Sequence, residues 1–394
     1  MATFKFIFWF SFAVIFYSYI GYGILLYILV AVKRLFRRKK SQPPAIYEPF
    51  VTLVVAAYNE EDFILQKIDN TLSLDYPADK LQVIFITDGS TDKTPELIRE
   101  NSPFELLHQS ERRGKVAAMN RAFQFVKAPI IIFCDANTLL NKECIRELAA
   151  HYADEKVGAV AGEKKIMVSK DGKAAAAGEG LYWKYESFLK KLDSEFYSVM
   201  GAAGELFSVR TSLFEKAAED VIIEDFVQSM KVCQNGYVVH YEPKAYAMET
   251  GSLSMKEEQK RKIRISAGAF QAMVILKDLF NVFKYPVVAF QFISHRILRW
   301  TICPIAILTL FVSNVVLVVL DAGLVYFVFL FLQFLFYGLA IVGWVFANRN
   351  IKIKVLYIPY YFLFMNVSVF FGFARFIRKN QSVLWEKAAR QKAA

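Results

Sequence analysis

Apolar positions crowd into a block at each end of the chain, while the middle alternates short apolar runs with amphipathic ones. Residues 4–32 hold no charge after Lys5. That run exceeds the roughly 20 residues needed to cross a bilayer and predicts a transmembrane helix. From about Leu276 the apolar share climbs again. Residues 284–300 mix apolar positions with Lys284, His295, Arg296 and Arg299, which predicts an amphipathic helix at the membrane interface. Spans follow at 301–320, 323–347 and 355–377, separated by Asp321-Ala322 and by the basic loop 348–354. Between the blocks, after the linker Ser41-Gln42-Pro43-Pro44, strand and helix periods take turns. Strands at 50–56, 82–87, 104–108 and 129–134 alternate with helices at 61–73, 92–99 and 115–126. Such alternation builds a doubly wound α/β sheet. The expected organisation is an N-terminal transmembrane helix with its basic flank (1–40), an α/β domain (47–280), an interfacial helix (281–300), C-terminal transmembrane helices (301–377) and a basic tail (378–394).

Charge adds an orientation. The octad Lys33-Arg34-Leu35-Phe36-Arg37-Arg38-Lys39-Lys40 abuts the first span, and such clusters stay on the cytoplasmic side. The α/β domain is therefore expected in the cytoplasm, in a cell membrane, with the first span as an uncleaved anchor; a signal peptide has a shorter apolar region. Much of the net charge of +11 lies in this octad and the tail, where anionic lipid is a nearer partner than nucleic acid. Cys134, Cys144, Cys233 and Cys303 form no CxxC pair and no zinc spacing, which fits reduced thiols. No GxGxxG or GxxxxGK[ST] follows a predicted strand, so neither dinucleotide nor P-loop chemistry is signalled. One conflict remains. Three crossings after a cytoplasmic domain put the tail outside, whereas Arg378, Lys379, Lys387, Arg390 and Lys392 place it inside. Either the 284–300 stretch or the last span is misassigned.

In doubly wound sheets ligands bind beyond the carboxyl ends of the strands. The residues there are Tyr58-Asn59-Glu60, Thr87-Asp88-Gly89-Ser90 and Asp135-Ala136-Asn137, so several strands deliver an acid to one rim. A departing diphosphate needs its charge stabilised, which a divalent ion does compactly. Hard oxygen ligands suit Mg²⁺ or Mn²⁺, and Asp135 is the first candidate. Glu224-Asp225 admits two readings: a carboxylate that takes the proton of an acceptor hydroxyl, or acids that simply favour a helix N-terminus. Arg261 and Arg264, on one helix face within Lys260-Arg261-Lys262-Ile263-Arg264, either clamp a diphosphate or form a charged surface.

Taken in order, Tyr58-Asn59-Glu60, Thr87 to Asp92, Arg113-Gly114-Lys115, Asn120, Asp135-Ala136-Asn137, Glu224-Asp225 and Arg261 to Gly268 resemble the membrane-embedded family 2 glycosyltransferases. That group includes synthases of cellulose, chitin, hyaluronan and poly-N-acetylglucosamine. The resemblance implies a GT-A fold, an inverting mechanism, a UDP-sugar donor, Mg²⁺ or Mn²⁺, a glycan or lipid-linked acceptor, and other polysaccharide-assembly proteins as partners. It implies that Ala57, Tyr58 and Glu60 line the nucleotide pocket, Asp88 contacts the base and Lys115 sits near the diphosphate. Asp135 and Asn137 would take the metal, Asp225 would be the general base beside Glu224, and Arg261 and Arg264 would align with the family's Gln-x-x-Arg-Trp element. This chain departs from the pattern at Thr87, at Asn137, which is neutral, and at Ile265, where the family's acceptor-stacking Trp is missing. Transfer to a polyprenyl phosphate, whose anionic oxygen needs no base, and a non-catalytic nucleotide-sugar-binding scaffold are the alternatives.

Overall fold

The computed structural model describes residues 1–36, 47–167, 174–250, 254–349, 351 and 353–379. The last four residues of the basic octad, the Ser41 to Pro44 linker, and Lys387, Arg390 and Lys392 lie outside the described residues.

Helix α1 (Ala2–Phe36) leads into β1 (Val51–Ala57), α2 (Ile64–Leu72), β2 (Leu81–Asp88), α3 (Thr94–Asn101), β3 (Glu105–Gln109), α4 (Lys115–Ala122) and β4 (Ile130–Asp135). Each of these soluble elements falls within a few residues of its expected position. Beyond them come β5 (Leu139–Leu140), α5 (Cys144–Ala150), β6 (Val157–Met167), α6 (Ala174–Phe196), β7 (Leu206–Arg210), α7 (Glu224–Gln234), β8 (Val238–Thr250) and α8 (Met255–Ile275). Then α9 (Pro286–Phe292) runs through a π turn (Ile293–Ile297) into Leu298–Trp300, and α10 (Ile302–Val319), α11 (Leu324–Asn348) and α12 (Lys354–Arg378) follow.

Among the described residues the strands make one sheet in the order β3-β2-β1-β4-β7-β6-β8-β5. Strands β3, β2, β1 and β4 pair in parallel, while β7 runs antiparallel to both β4 and β6. The β1 and β4 sequences are almost wholly apolar because both faces of a parallel sheet are covered. Alternate side chains enter two cores, with Val51, Leu53 and Val55 on one side and Val54, Ile131 and Phe133 on the other. The register sets Ala57 beside Thr87 and Ala56 beside Asp135, so the carboxyl ends of β1, β2 and β4 finish at one edge.

Helices α1, α10, α11 and α12 are long and apolar enough to cross a membrane. Lys284 is exposed, but His295 and Arg296 point into the protein: His295 Nδ1 lies 2.5 Å from Asp193, and Arg296 Nη1 lies 2.6 Å from Glu186. Buried carboxylates on α6 hold the Arg296 cation, because an unpaired charge in the interior is costly, and they also bond the His295 ring. Burial alone would raise the Glu186 pKa, but Arg296 and His295 hold it well below the usual range.

Gly201 has a positive φ of 96°, and a Cβ there would overlap the Phe226 ring. Gly201→Ala is expected to cost roughly 2 kcal/mol or more from backbone strain and overpacking. A lowered melting temperature in detergent checks this.

Candidate active site

The loops after β1, β2 and β4 are tied down by hydrogen bonds from neighbouring elements. Asn59 adopts a φ of 53°, and its Oδ1 accepts from the Thr91 amide at 2.8 Å. The Glu60 amide donates to Thr94 Oγ1 at 2.8 Å. After β4, the Ala136 amide donates to Ala56 O at 3.0 Å, and the fully buried Lys67 donates to Thr138 O at 2.9 Å. These contacts hold Glu60, Asp135 and Asn137 at the sheet edge.

That edge opens into a cavity of about 1650 Å³ lined by Tyr58, Glu60, Lys115, Asp135, Asn137, Glu224, Asp225, Arg261 and Arg264. At its centre, Lys115 Nζ lies 2.7 Å from Asp135 and 3.1 Å from Glu224. Burial would lower the Lys115 pKa, but Asp135, Glu224 and Asp225 together raise it well above normal. Burial raises Asp135, even against Lys115. Burial and the neighbouring Glu224 charge push Asp225 up to about 7, with Lys115 opposing them. Both acids stand in the first turn of α7, where the helix dipole favours negative charge. The two readings of Glu224-Asp225 are therefore compatible: the pair starts a helix and also faces the cavity.

Gly204 forms the opposing wall. A Cβ there would come within 3.0 Å of Lys115 Nζ and 3.3 Å of Asp225 Oδ2, so the glycine leaves room for both groups. Gly204 thus permits close approach of side chains, and Gly201 tight packing.

Asp88 and Ala57 do not line the main cavity; they border a neighbouring void of about 20 Å³. Asp88 Oδ2 accepts from the amides of Arg113 at 2.8 Å and Gly114 at 2.6 Å, which fixes the turn leading into α4 and so aims Lys115. Thr87 bonds His108 Nδ1 at 2.8 Å. The Arg112 guanidinium lies 3.8 Å over the Tyr58 ring at the rim. Arg261 bonds the buried Glu258 at 3.1 Å, so part of its charge is spent within its own helix.

Several further residues reach the cavity. Glu205 on the 201–205 turn and Glu249 on β8 both pair with the buried Lys164; burial alone would raise Glu205, but Lys164 holds it well below the usual range. Tyr182, Trp183, Trp300, Tyr357 and Tyr361 bring aromatic faces to the cavity from α6, the end of the α9 segment and α12. Tyr357 and Tyr361 were legible as stacking aromatics of an apolar segment, whereas Tyr182, Trp183 and Trp300 carried no such signal.

Among the described residues no group of three or more His, Cys, Asp and Glu could hold a metal. The donors present still suit a hard cation. Asn137 Oδ1 is buried without a hydrogen-bond partner, and Asp135 stands two residues before it. Two protein oxygens are what Mg²⁺ or Mn²⁺ takes when phosphate oxygens and water complete the shell.

Residues 52–217 match the family described as "Glycosyl transferase family 2". Over those residues the unit between the membrane segments is similar to a family 2 glycosyltransferase domain. Its fold is GT-A, as the structural likeness also indicates. The chain superimposes on a mannosyltransferase from Pyrobaculum calidifontis, solved in complex with GDP-Man and Mn²⁺, with a TM-score of 0.68 and 20% identity, covering 94% of this chain and 99% of that one. The chain is also 30% identical over 246 residues to a poly-beta-1,6-N-acetyl-D-glucosamine synthase of Staphylococcus aureus (strain MSSA476). The Staphylococcus epidermidis counterpart is 27% identical over the same length. These matches cover 59% of this chain and 57% of the relatives, so the chain spans little more than half of their length.

Proposed function

We propose that this chain is an inverting membrane glycosyltransferase that moves a hexose or N-acetylhexosamine from a UDP-sugar to a glycan or lipid-linked acceptor. The observation that carries the reading is Lys115 held between Asp135 and Glu224, with Asp225 beside them, on one wall of a large cavity. Tyr58 and Glu60 receive the nucleotide, while Lys115, Arg261 and Arg264 neutralise the diphosphate. Asp135 and Asn137 would hold Mg²⁺ or Mn²⁺, which when bound offsets charge on the leaving diphosphate. Asp225 takes the proton of the acceptor hydroxyl as its oxygen bonds the anomeric carbon and the bond to diphosphate breaks. One in-line attack with one base inverts the configuration. Tyr182, Trp183 and Trp300 offer aromatic faces to acceptor sugar rings.

Lys33 and Arg34 at the end of α1 support a cytoplasmic catalytic domain. Both engage α6: Lys33 Nζ donates to Phe196 O at 2.6 Å, and Arg34 pairs with Glu195.

The ionised form of Asp225 is the competent base, so kcat/KM should rise as pH increases through about 7 and level off above it. Asp225→Glu should move that apparent pKa; a profile unchanged by the substitution would detach it from Asp225. Configuration tests the rest: proton NMR of the product should show the anomeric centre opposite to that of the donor, and a retained centre would refute the single-base mechanism.

A further inference from the structure

Helices α8 and α12 lie side by side in parallel along nearly their whole lengths. At one end the Tyr357 hydroxyl is 3.0 Å from Met255 Sδ, and the Tyr361 hydroxyl donates to Glu258 at 3.0 Å. Further along, Gly372 lies so close to Ser266 and Ala267 that a side chain would overlap them. At the other end the Phe270 ring packs 4.9 Å from Phe373 and 6.1 Å from Phe376.

Helix α8 cannot sit in hydrocarbon. It carries Glu257, Glu258, Lys260, Arg261, Lys262 and Arg264 and forms a wall of the catalytic cavity. A neighbour that follows it from end to end therefore stays outside the bilayer core as well. The middle of α12 gives an independent marker of depth. Asn366 Oδ1 accepts from the Tyr19 hydroxyl at 3.1 Å, and the Arg299 guanidinium lies 5.4 Å over the same Tyr19 ring. Arg299 stands just before the first residue of α10. Helix α1 runs beside α10 only through its first half, with Ser11 bonding Thr309 and Phe8 packing on Leu317, before Tyr22, Leu26 and Val30 pack on α6. Tyr19 and Asn366 therefore lie level with the start of a span, not with its centre.

The outer side of the distal half of α12 is apolar and open: Val367, Phe370, Phe371 and Ile377 are 46, 39, 52 and 61% exposed. The side toward the protein holds Tyr361, Ser368 and Gly372, all buried. One packed side and one bare apolar side describe a helix lying in an interface.

We infer that α12 lies in the plane of the membrane, against the leaflet on the catalytic side, and does not cross it. The chain then crosses with α1, α10 and α11 only, and residue 379 emerges on the side of the catalytic domain. The conflict in the sequence disappears: Arg378 and Lys379 join Lys33 and Arg34 on one side, as cations flanking spans do. The misassigned element is the last span, despite its length and hydropathy. Its partner is the lipid surface, and its inner side closes the cavity through Tyr357, Tyr361, Met365 and Asn366.

Single-cysteine labelling tests this in sealed membrane vesicles of both orientations, using a membrane-impermeant maleimide. The four native cysteines are buried and give a low background. Glu111→Cys reports the catalytic domain, Leu320→Cys the far end of α10, and Lys379→Cys the end of α12. Lys379→Cys should label together with Glu111→Cys and opposite to Leu320→Cys; labelling together with Leu320→Cys overturns the inference. Spin labels at Val355→Cys, Val367→Cys and Ile377→Cys then report depth. All three should lie within about 5–10 Å of the headgroup boundary, whereas a deep 367 between shallow ends overturns the in-plane placement even if residue 379 is on the expected side.

Discussion

Asp225→Asn should lower transfer by roughly 10²–10⁴-fold, the usual contribution of a positioned general base, while nucleotide affinity changes little. The substitution keeps size and hydrogen-bonding shape but cannot accept the acceptor proton. Asp225 faces the cavity beside Gly204, and its raised pKa keeps it a competent base near neutral pH. Lys115 bonds Asp135 directly, so loss of the Asp225 charge leaves that contact in place. Titration of UDP by calorimetry alongside steady-state rates separates the two effects. Nearly full activity in the variant would instead favour an acceptor that is already anionic, such as a polyprenyl phosphate, which needs no base.

Lys115→Met should be the most damaging single change for stability at the site. It leaves Asp135 and Glu224 facing each other without the cation now 2.7 and 3.1 Å away. Breaking a buried ion pair by removing one partner costs about 3–5 kcal/mol, since the remaining charge stays desolvated. The double variant Lys115→Met/Asp135→Asn should recover part of that loss, with a coupling of roughly 0.5–3 kcal/mol typical of contacting groups. Thermal denaturation of the four proteins in one detergent gives the cycle. Strict additivity would mean that Lys115 is not held by Asp135.

Much of the nucleotide half of the fold was legible because each element there obeys its own local period. Strands β1, β2 and β4 are short β-branched runs, and α2, α3 and α4 begin close to the expected positions. The acids at the strand ends were visible for the same reason, since a parallel sheet fixes where its loops go. Legibility fell where long-range pairing decides. Strands β6, β7 and β8 pair across distant parts of the chain, so the Lys164, Glu205 and Glu249 cluster had no local signature. His295 and Arg296 read as interfacial because nothing in their neighbourhood announces the Glu186 and Asp193 carboxylates more than 90 residues earlier. Asp88 shows a subtler limit: its position was legible, but not that its Oδ2 would accept from the Arg113 and Gly114 amides. Hydropathy records the apolar content of α12, not the charged helix α8 that lies alongside it.

The most direct test of the central claim is release of nucleoside diphosphate by the purified full chain in lipid. UDP- and GDP-sugars are supplied in turn with Mg²⁺ or Mn²⁺, wild type and Asp225→Asn are run side by side, and products are sized. The expected result is turnover of a UDP-hexose or UDP-N-acetylhexosamine by the wild type that falls at least ~10²-fold in the variant, with a sugar added to the acceptor. Tight nucleotide binding without turnover of any donor, or equal turnover by the two proteins, would contradict the assignment of this site to base-assisted glycosyl transfer.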